Sequence, residues 1–242
     1  MAAIRVSSGS GNRVVGSLSR VDRQLLEAHL EPVTLKSRQH LQSANCRIKT
    51  VYFIERGFAS VVALGGSKRQ QAEIAVVGRE GMTGLAVILG VNRSPHDTFM
   101  QAEGDGRCIN AEVLCGLMEK SRSLTGCLMR YAHAFSVQVG FTALANAQGK
   151  IEERLARWLL MAHDRLERDE VPLTHEFLSV LLGVRRAGVT TALHQLESSA
   201  LISTTRGRVT ILDRDGLEES ANGLYGAPEA EFERLFGYAV DF

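Results

Sequence analysis

The apolar residues of this chain stop alternating at Asn110. Before it they come in short runs divided by turn residues; after it they recur every three to four positions. A change of period from two to about 3.6 puts a β part and a helical part in one chain. The β runs are 50–55, 58–64, 72–77, 98–102 and 107–110, with Arg56-Gly57 and Gly65-Gly66-Ser67 as turns. Short strands at this cadence predict a β-sandwich or jelly-roll barrel, not a parallel sheet. A loop with four glycines, from Gly78 to Gly90, lies between the third and fourth runs.

Helical spacing first shows at Leu18, Val21, Leu25, Leu26 and Leu30, with Ser19 as N-cap. Ahead of it, residues 1–17 open Ser/Gly-rich and read as a mobile N-terminus. After Asn110 a long helical zone runs from about 111 to 168, broken at Gln148-Gly149, which serves as the domain boundary. Within it Leu124, Leu128, Tyr131 and Phe135 make a stripe that suits an intramolecular core and a second subunit equally well.

Composition excludes several classes. With 242 residues, 45% apolar and 23% charged, the chain is long enough to bury one large core or two modest ones. No stretch is apolar enough to span a bilayer, and the start has no apolar signal region, so a cytoplasmic protein without membrane contact is expected. Cys46, Cys108, Cys115 and Cys127 are far apart and the seven histidines are scattered, which fits neither a disulfide framework nor a metal site. Net charge is +1, but it is distributed: +6 over residues 1–146, +1 over 147–214 and −6 over 215–242. A nucleic-acid partner must therefore be argued from a local patch.

That patch lies between Val171 and Asp213. Pro172 is expected to end the preceding helix, and Thr174 to cap a short one carrying Phe177, Leu178 and Leu181. Gly183 allows the positive φ of a tight corner. A second helix, about 185–199, puts Val189, Ala192, Leu193 and Leu196 on one side. Arg185, Arg186, Gly188, Thr190, Thr191, His194 and Gln195 fall on the other. Residues 201–205 and 209–212 read as a hairpin tipped by Arg206-Gly207-Arg208. Helix, turn, helix and hairpin make a winged helix-turn-helix. The N-terminal turn of such a second helix enters the major groove, where a guanidinium can bond guanine or clamp a phosphate. Arg185 and Arg186 occupy that turn, Thr190 and Thr191 follow, and Arg206 and Arg208 flank the wing.

Residues 173–202 resemble the DNA-binding module of the Crp/Fnr regulators. Residues 50–104 resemble that family's cyclic-nucleotide-binding-type β-roll, with Val77-Gly-Arg-Glu-Gly-Met-Thr-Gly-Leu85 as its glycine-rich loop. The resemblance implies an α+β chain. It has a β-roll sensor domain (18–148) that includes a long dimerisation helix (about 111–148), then a winged helix-turn-helix domain (149–222) and an acidic tail (223–242). It further implies a homodimer paired through Leu124, Leu128, Tyr131 and Phe135, bound to a two-fold symmetric double-stranded DNA site. An RNA polymerase contact stays open, with no local residue to carry it.

The departures from the family narrow the signal. Nucleotide binders place Glu after a glycine and Arg-Ser later; here Met82 and His96-Asp97 stand at those positions. Aspartate repels a phosphate and methionine cannot bond two hydroxyls, so cyclic AMP is not expected and no cofactor is assigned. Gly81, Met82, Thr83, Arg93, His96, Asp97 and Thr98 remain as candidates for an effector pocket. The alternative, a cupin-like metal-dependent enzyme, needs histidines in the barrel strands, and the runs named above contain none. The tail, with Phe232, Leu235, Phe236 and Tyr238 at roughly helical spacing, is expected to pack back as a short helix.

Overall fold

The computed structural model describes residues 11–67, 70–166, 168–173 and 175–237, without the side chains of His175 and Glu176. Thr174 and Tyr238 therefore lie outside the described residues. Among the described residues two short helices come first, α1 (Arg13–Gly16) and α2 (Arg20–Glu27). Ser19 caps α2 by accepting from the Asp22 amide. Residues 12–17 are not loose: Val14, Val15 and Asn12 are fully buried. The Asn12 amide donates to the carbonyls of Ile54 (2.8 Å) and Gly81 (2.7 Å). The expectation of a mobile 1–17 is thus corrected for this stretch, because a buried amide with two partners anchors it.

Strands β1 (Glu31–Leu35), β2 (His40–Gln42), β3 (Thr50–Leu64) and β4 (Gln71–Val77) follow, then helix α3 (Leu85–Ile88) and strand β5 (His96–Asn110). They form one antiparallel sheet in the order β1-β5-β3-β4, with β2 also on β5. Two expectations change here. The runs at 50–55 and 58–64 are a single strand, and so are those at 98–102 and 107–110. Arg56-Gly57 is not a turn but a bulge, where pairing shifts from Ile54↔Gly106 to Phe58↔Ala102. Gly57 has φ +75°, and a Cβ there would sit 2.6 Å from the carbonyl oxygens of Ala102 and Glu103, so only glycine fits.

The helical zone is three helices: α4 (Ala111–Lys120), α5 (Arg122–Gln148) and α6 (Ile151–Leu166). Asn110 caps α4 and Ser121 caps α5. Asp22 accepts from the hydroxyls of Ser121 and Ser123, both at 2.6 Å, fastening α2 to the start of α5. The stripe proposed as a dimer face is instead core. Leu124 and Leu128 are 0% exposed and Tyr131 3%, packed with Val14, Leu26, Phe53 and Met82, with Phe135 against them. These four residues lie on the side of α5 that faces the sheet. The outward side carries Met129, Ser136, Gly140, Ala143 and Leu144, and at Gly140 a Cβ would meet nothing within 4 Å.

Pro172 does not end α6. It closes a short strand, β6 (Glu170–Pro172), which pairs with β8 (Arg208–Ile211) beside β7 (Ile202–Thr205). Between β6 and β7 come α7 (His175–Leu182) and α8 (Arg186–Ser198). The chain finishes with α9 (Arg214–Ser220) and α10 (Ala227–Phe236). The expected tail helix is there, and it packs on α5. Phe232 and Leu235 are buried in the same core as Leu124 and Tyr131.

Candidate nucleic-acid interface

At the corner between α7 and α8, Gly183 takes φ +61° and the Val184 amide returns to the Ser179 carbonyl at 3.1 Å. Arg185 is the N-cap residue of α8, extended at φ −70° and ψ 151°, so the helix proper begins one residue later than expected. No side chain caps this end and no acidic residue stands in its first turn. Its backbone donors and the positive end of the helix dipole therefore face outward together with exposed Arg185 and Arg186. The opposite face is sealed: Val189, Ala192, Leu193 and Leu196 are each 4% exposed or less.

The other candidates divide. Thr191, His194 and Gln195 are exposed on the outer face. The hydroxyls of Thr190 and Thr191 donate back to the carbonyls of Arg186 and Ala187, both at 3.1 Å, which leaves each hydroxyl oxygen able to accept. Gly188 is not on that face. A Cβ there would lie 3.1 Å from Ile151 Cδ1, so its role is the close crossing of α8 over α6. In the wing, Gly207 takes φ +77° at the tip, with Arg206 exposed beside it. Arg208 is exposed too but is held by Glu170 at 2.6 Å. Glu197, the one acid between residues 184 and 212, turns to the wing: its Oε1 accepts from the Thr204 amide and hydroxyl, both at 2.9 Å, and those bonds hold its carboxyl below the ordinary range.

The seven effector candidates do not form a cavity of one kind. A Cβ on Gly81 would meet the Tyr131 hydroxyl at 2.5 Å, and that hydroxyl donates to the Met82 carbonyl at 2.9 Å. Met82 is 1% exposed, so Tyr131 and Met82 fill the space beside the glycine-rich loop. The Thr83 hydroxyl accepts from the Tyr52 amide at 3.1 Å and Asp97 from the Ala44 amide at 2.8 Å. Thr98 is buried, Arg93 is exposed, and burial pushes the His96 imidazole down. None of the seven lines the cleft of about 800 Å³ that opens between α5, α6 and α10, bounded by Arg79, Tyr131, Gln138, Asp164, Tyr225 and Phe232. That cleft is not visible in the sequence, because its walls come from segments far apart in the chain, from Arg13 to Glu233. Among the described residues no group of three His, Cys, Asp or Glu could hold a metal ion, and no helix is long and apolar enough to cross a membrane.

Residues 153–220 match the family model of a Crp-like helix-turn-helix domain. Among solved structures, a regulator assigned to the Crp/Fnr family from Eubacterium rectale is similar at TM-score 0.68 and 20% identity, covering 86% of this chain and 97% of that one. A CRP-family transcriptional regulator from Thermus thermophilus has the same TM-score, 0.68, and 20% identity, over 81% of this chain and 99% of that one. The c-di-GMP responsive global regulator CLP of Xanthomonas campestris gives 0.63 and 16%, over 80% and 99%. Among curated proteins no sequence matches the chain. At these identities the structural likenesses speak for the fold alone.

Proposed function

We propose that this chain, whose residues 153–220 match a Crp-like helix-turn-helix domain, is a Crp/Fnr-type transcription regulator and that it works as a homodimer. In this reading each protomer lays the N-terminal turn of α8 in the major groove of one half of a two-fold symmetric DNA site. The observation that carries it is the start of α8: no side chain caps it, its first turn holds no acid, and Arg185 and Arg186 stand exposed there. Backbone donors and guanidinium groups at one helix end suit a phosphate and a guanine edge side by side. Arg206 at the wing tip adds a backbone contact, and Thr191 a methyl within reach of a thymine. Arg208 contributes less than expected, since Glu170 already partners it.

Pairing runs through the outward side of α5, around Met129, Gly140 and Leu144, where small residues let a second helix approach closely. The effector is not cyclic AMP, because Met82 and Tyr131 occupy the space beside Gly81 and Asp97 is already spent on a backbone amide. The protein reads DNA without catalysing a reaction of its own, and it does so in the cytoplasm.

Titrating duplex DNA with the parent and with an Arg185→Ala/Arg186→Ala variant tests the assignment. The variant should lose about 1–3 kcal/mol of binding free energy for each base-contacting arginine, and the parent's affinity should fall steeply with salt. Equal affinities, or a flat salt response, would show that α8 does not meet the duplex.

A further inference from the structure

The outer face of the β-roll and the winged helix share one apolar core, in which Phe58, Val76 and Ala102 of the sheet pack with Trp158, Leu159 and Leu178 of α6 and α7. In the middle of this contact lies an acid. Glu73 of β4 is 5% exposed, and its Oε1 accepts from the Trp158 indole N–H at 2.7 Å across the two domains. Its other oxygen has no second firm donor; the Ser60 hydroxyl of β3 lies beside it, near enough to pull the carboxyl down.

The charged groups that act on Glu73 are Arg157 and Arg165, both on α6. Neither guanidinium is spent on it. Arg157 donates to the Leu224 carbonyl and the Thr142 hydroxyl, and Arg165 to Glu80 and the Met161 carbonyl. From β3 the facing polar group is Ser60, from α5 the neighbour of β4 is the Gln138 amide, and α7 sets Phe177 against Trp158. A carboxylate here is a buried charge with one firm donor and no guanidinium bonded to it, whereas a carboxylic acid can donate its proton to the Ser60 oxygen.

We propose that Glu73 is a proton-operated catch between the sensor domain and the DNA-binding domain. It is closed on Trp158 when the carboxyl is neutral and slackened when the carboxyl ionises, which frees α6 to α8 to shift against the sheet. Burial pushes the Glu73 carboxyl up to about 7, beyond what Ser60, Trp158 and the two arginines pull it down. The raised value sets the sign. The docked form binds the proton more tightly than an opened one, so docking is strongest in acid, weakens as pH rises from the usual carboxyl range, and levels off above about 7.

Trp158 is the only tryptophan of the chain, so its fluorescence reports this contact alone. In the full-length protein its emission should shift between pH 5 and 8.5 with a midpoint near 7. Glu73→Gln and Glu73→Leu, each checked for fold by far-UV circular dichroism, should show no such shift. Proteolysis at the α5–α6 junction should speed up by about tenfold or more from pH 5.5 to 8 in the parent and stay level in both variants. A parent emission flat across this range, equal cutting at both pH values, or a Glu73→Gln protein that titrates like the parent would overturn the catch. No duplex enters either measurement, so its failure is distinct from failure of the DNA-reading assignment.

Discussion

Two buried acids of this chain lie on opposite sides of the ordinary carboxyl range, and their neighbours explain why. For Asp22, burial pushes the carboxyl up, but the hydroxyls of Ser121, Ser123 and Ser19 outweigh it and hold the group below its usual value. Glu73 has one firm donor and ends high. The consequences for stability oppose each other. The Asp22 contribution is present above the ordinary carboxyl range and is lost as pH falls through its lowered value. Asp22→Asn should therefore flatten the acid limb of a stability-against-pH curve measured by urea unfolding; an unchanged limb would mean the three hydroxyls do not act on it. Gly57 permits a sharper test of backbone geometry. Gly57→Ala places a methyl against two carbonyl oxygens at positive φ and should cost about 1–3 kcal/mol in the same assay. A neutral result would argue against the bulge.

At the scale of elements, α5 shows both what a sequence can and cannot tell. Its helical period was plain, and so was its break at Gln148-Gly149. Which of its sides meets the sheet was not, because both are apolar: Leu124 and Leu128 on one, Met129 and Leu144 on the other. Only the fold tells them apart. Leu124→Ala should destabilise each protomer by about 2–5 kcal/mol through the cavity it leaves. Met129→Asp/Leu144→Asp should leave thermal unfolding of the protomer nearly unchanged and yield monomers in sedimentation, and a dimer that survives would move the interface elsewhere. The strands tell a similar story. Arg56-Gly57 has the composition of a turn, and nothing local separates a turn from a bulge inside a long strand; pairing with Ala102 and Asp105 decides it. Strand β6 escaped notice because three residues ending in proline carry no period of their own. The winged helix was legible because its cues agree at every level: apolar spacing on α8, glycine at Gly183, and a glycine-tipped hairpin after it. Gly188 does not fit those cues, its contact being with Ile151 on a helix remote in sequence.

Across the whole molecule, three apolar cores join rather than divide the parts. One fills the sheet around Leu35, Ile54 and Met100; one binds α1, α5 and α10 to it; one crosses from the sheet to the winged helix. Helix α10 closes the circuit. It leaves the winged helix and returns to α5, with Arg13 over the Phe232 ring at 4.8 Å and paired to Glu233 at 2.6 Å. Ending the chain after Gly223 should lower stability by on the order of 3–6 kcal/mol, through the lost burial of Phe232 and Leu235; unfolding midpoints of the two lengths check this. The N-terminal turn of α8 faces outward, with Arg185 and Arg186 exposed on it. Selection from a pool of random duplexes is the most direct measurement. The parent should enrich two inverted half-sites about one helical turn apart, and the Arg185→Ala/Arg186→Ala variant should not. No enrichment by the parent, or the same motif enriched by the variant, would contradict the reading of DNA by that turn.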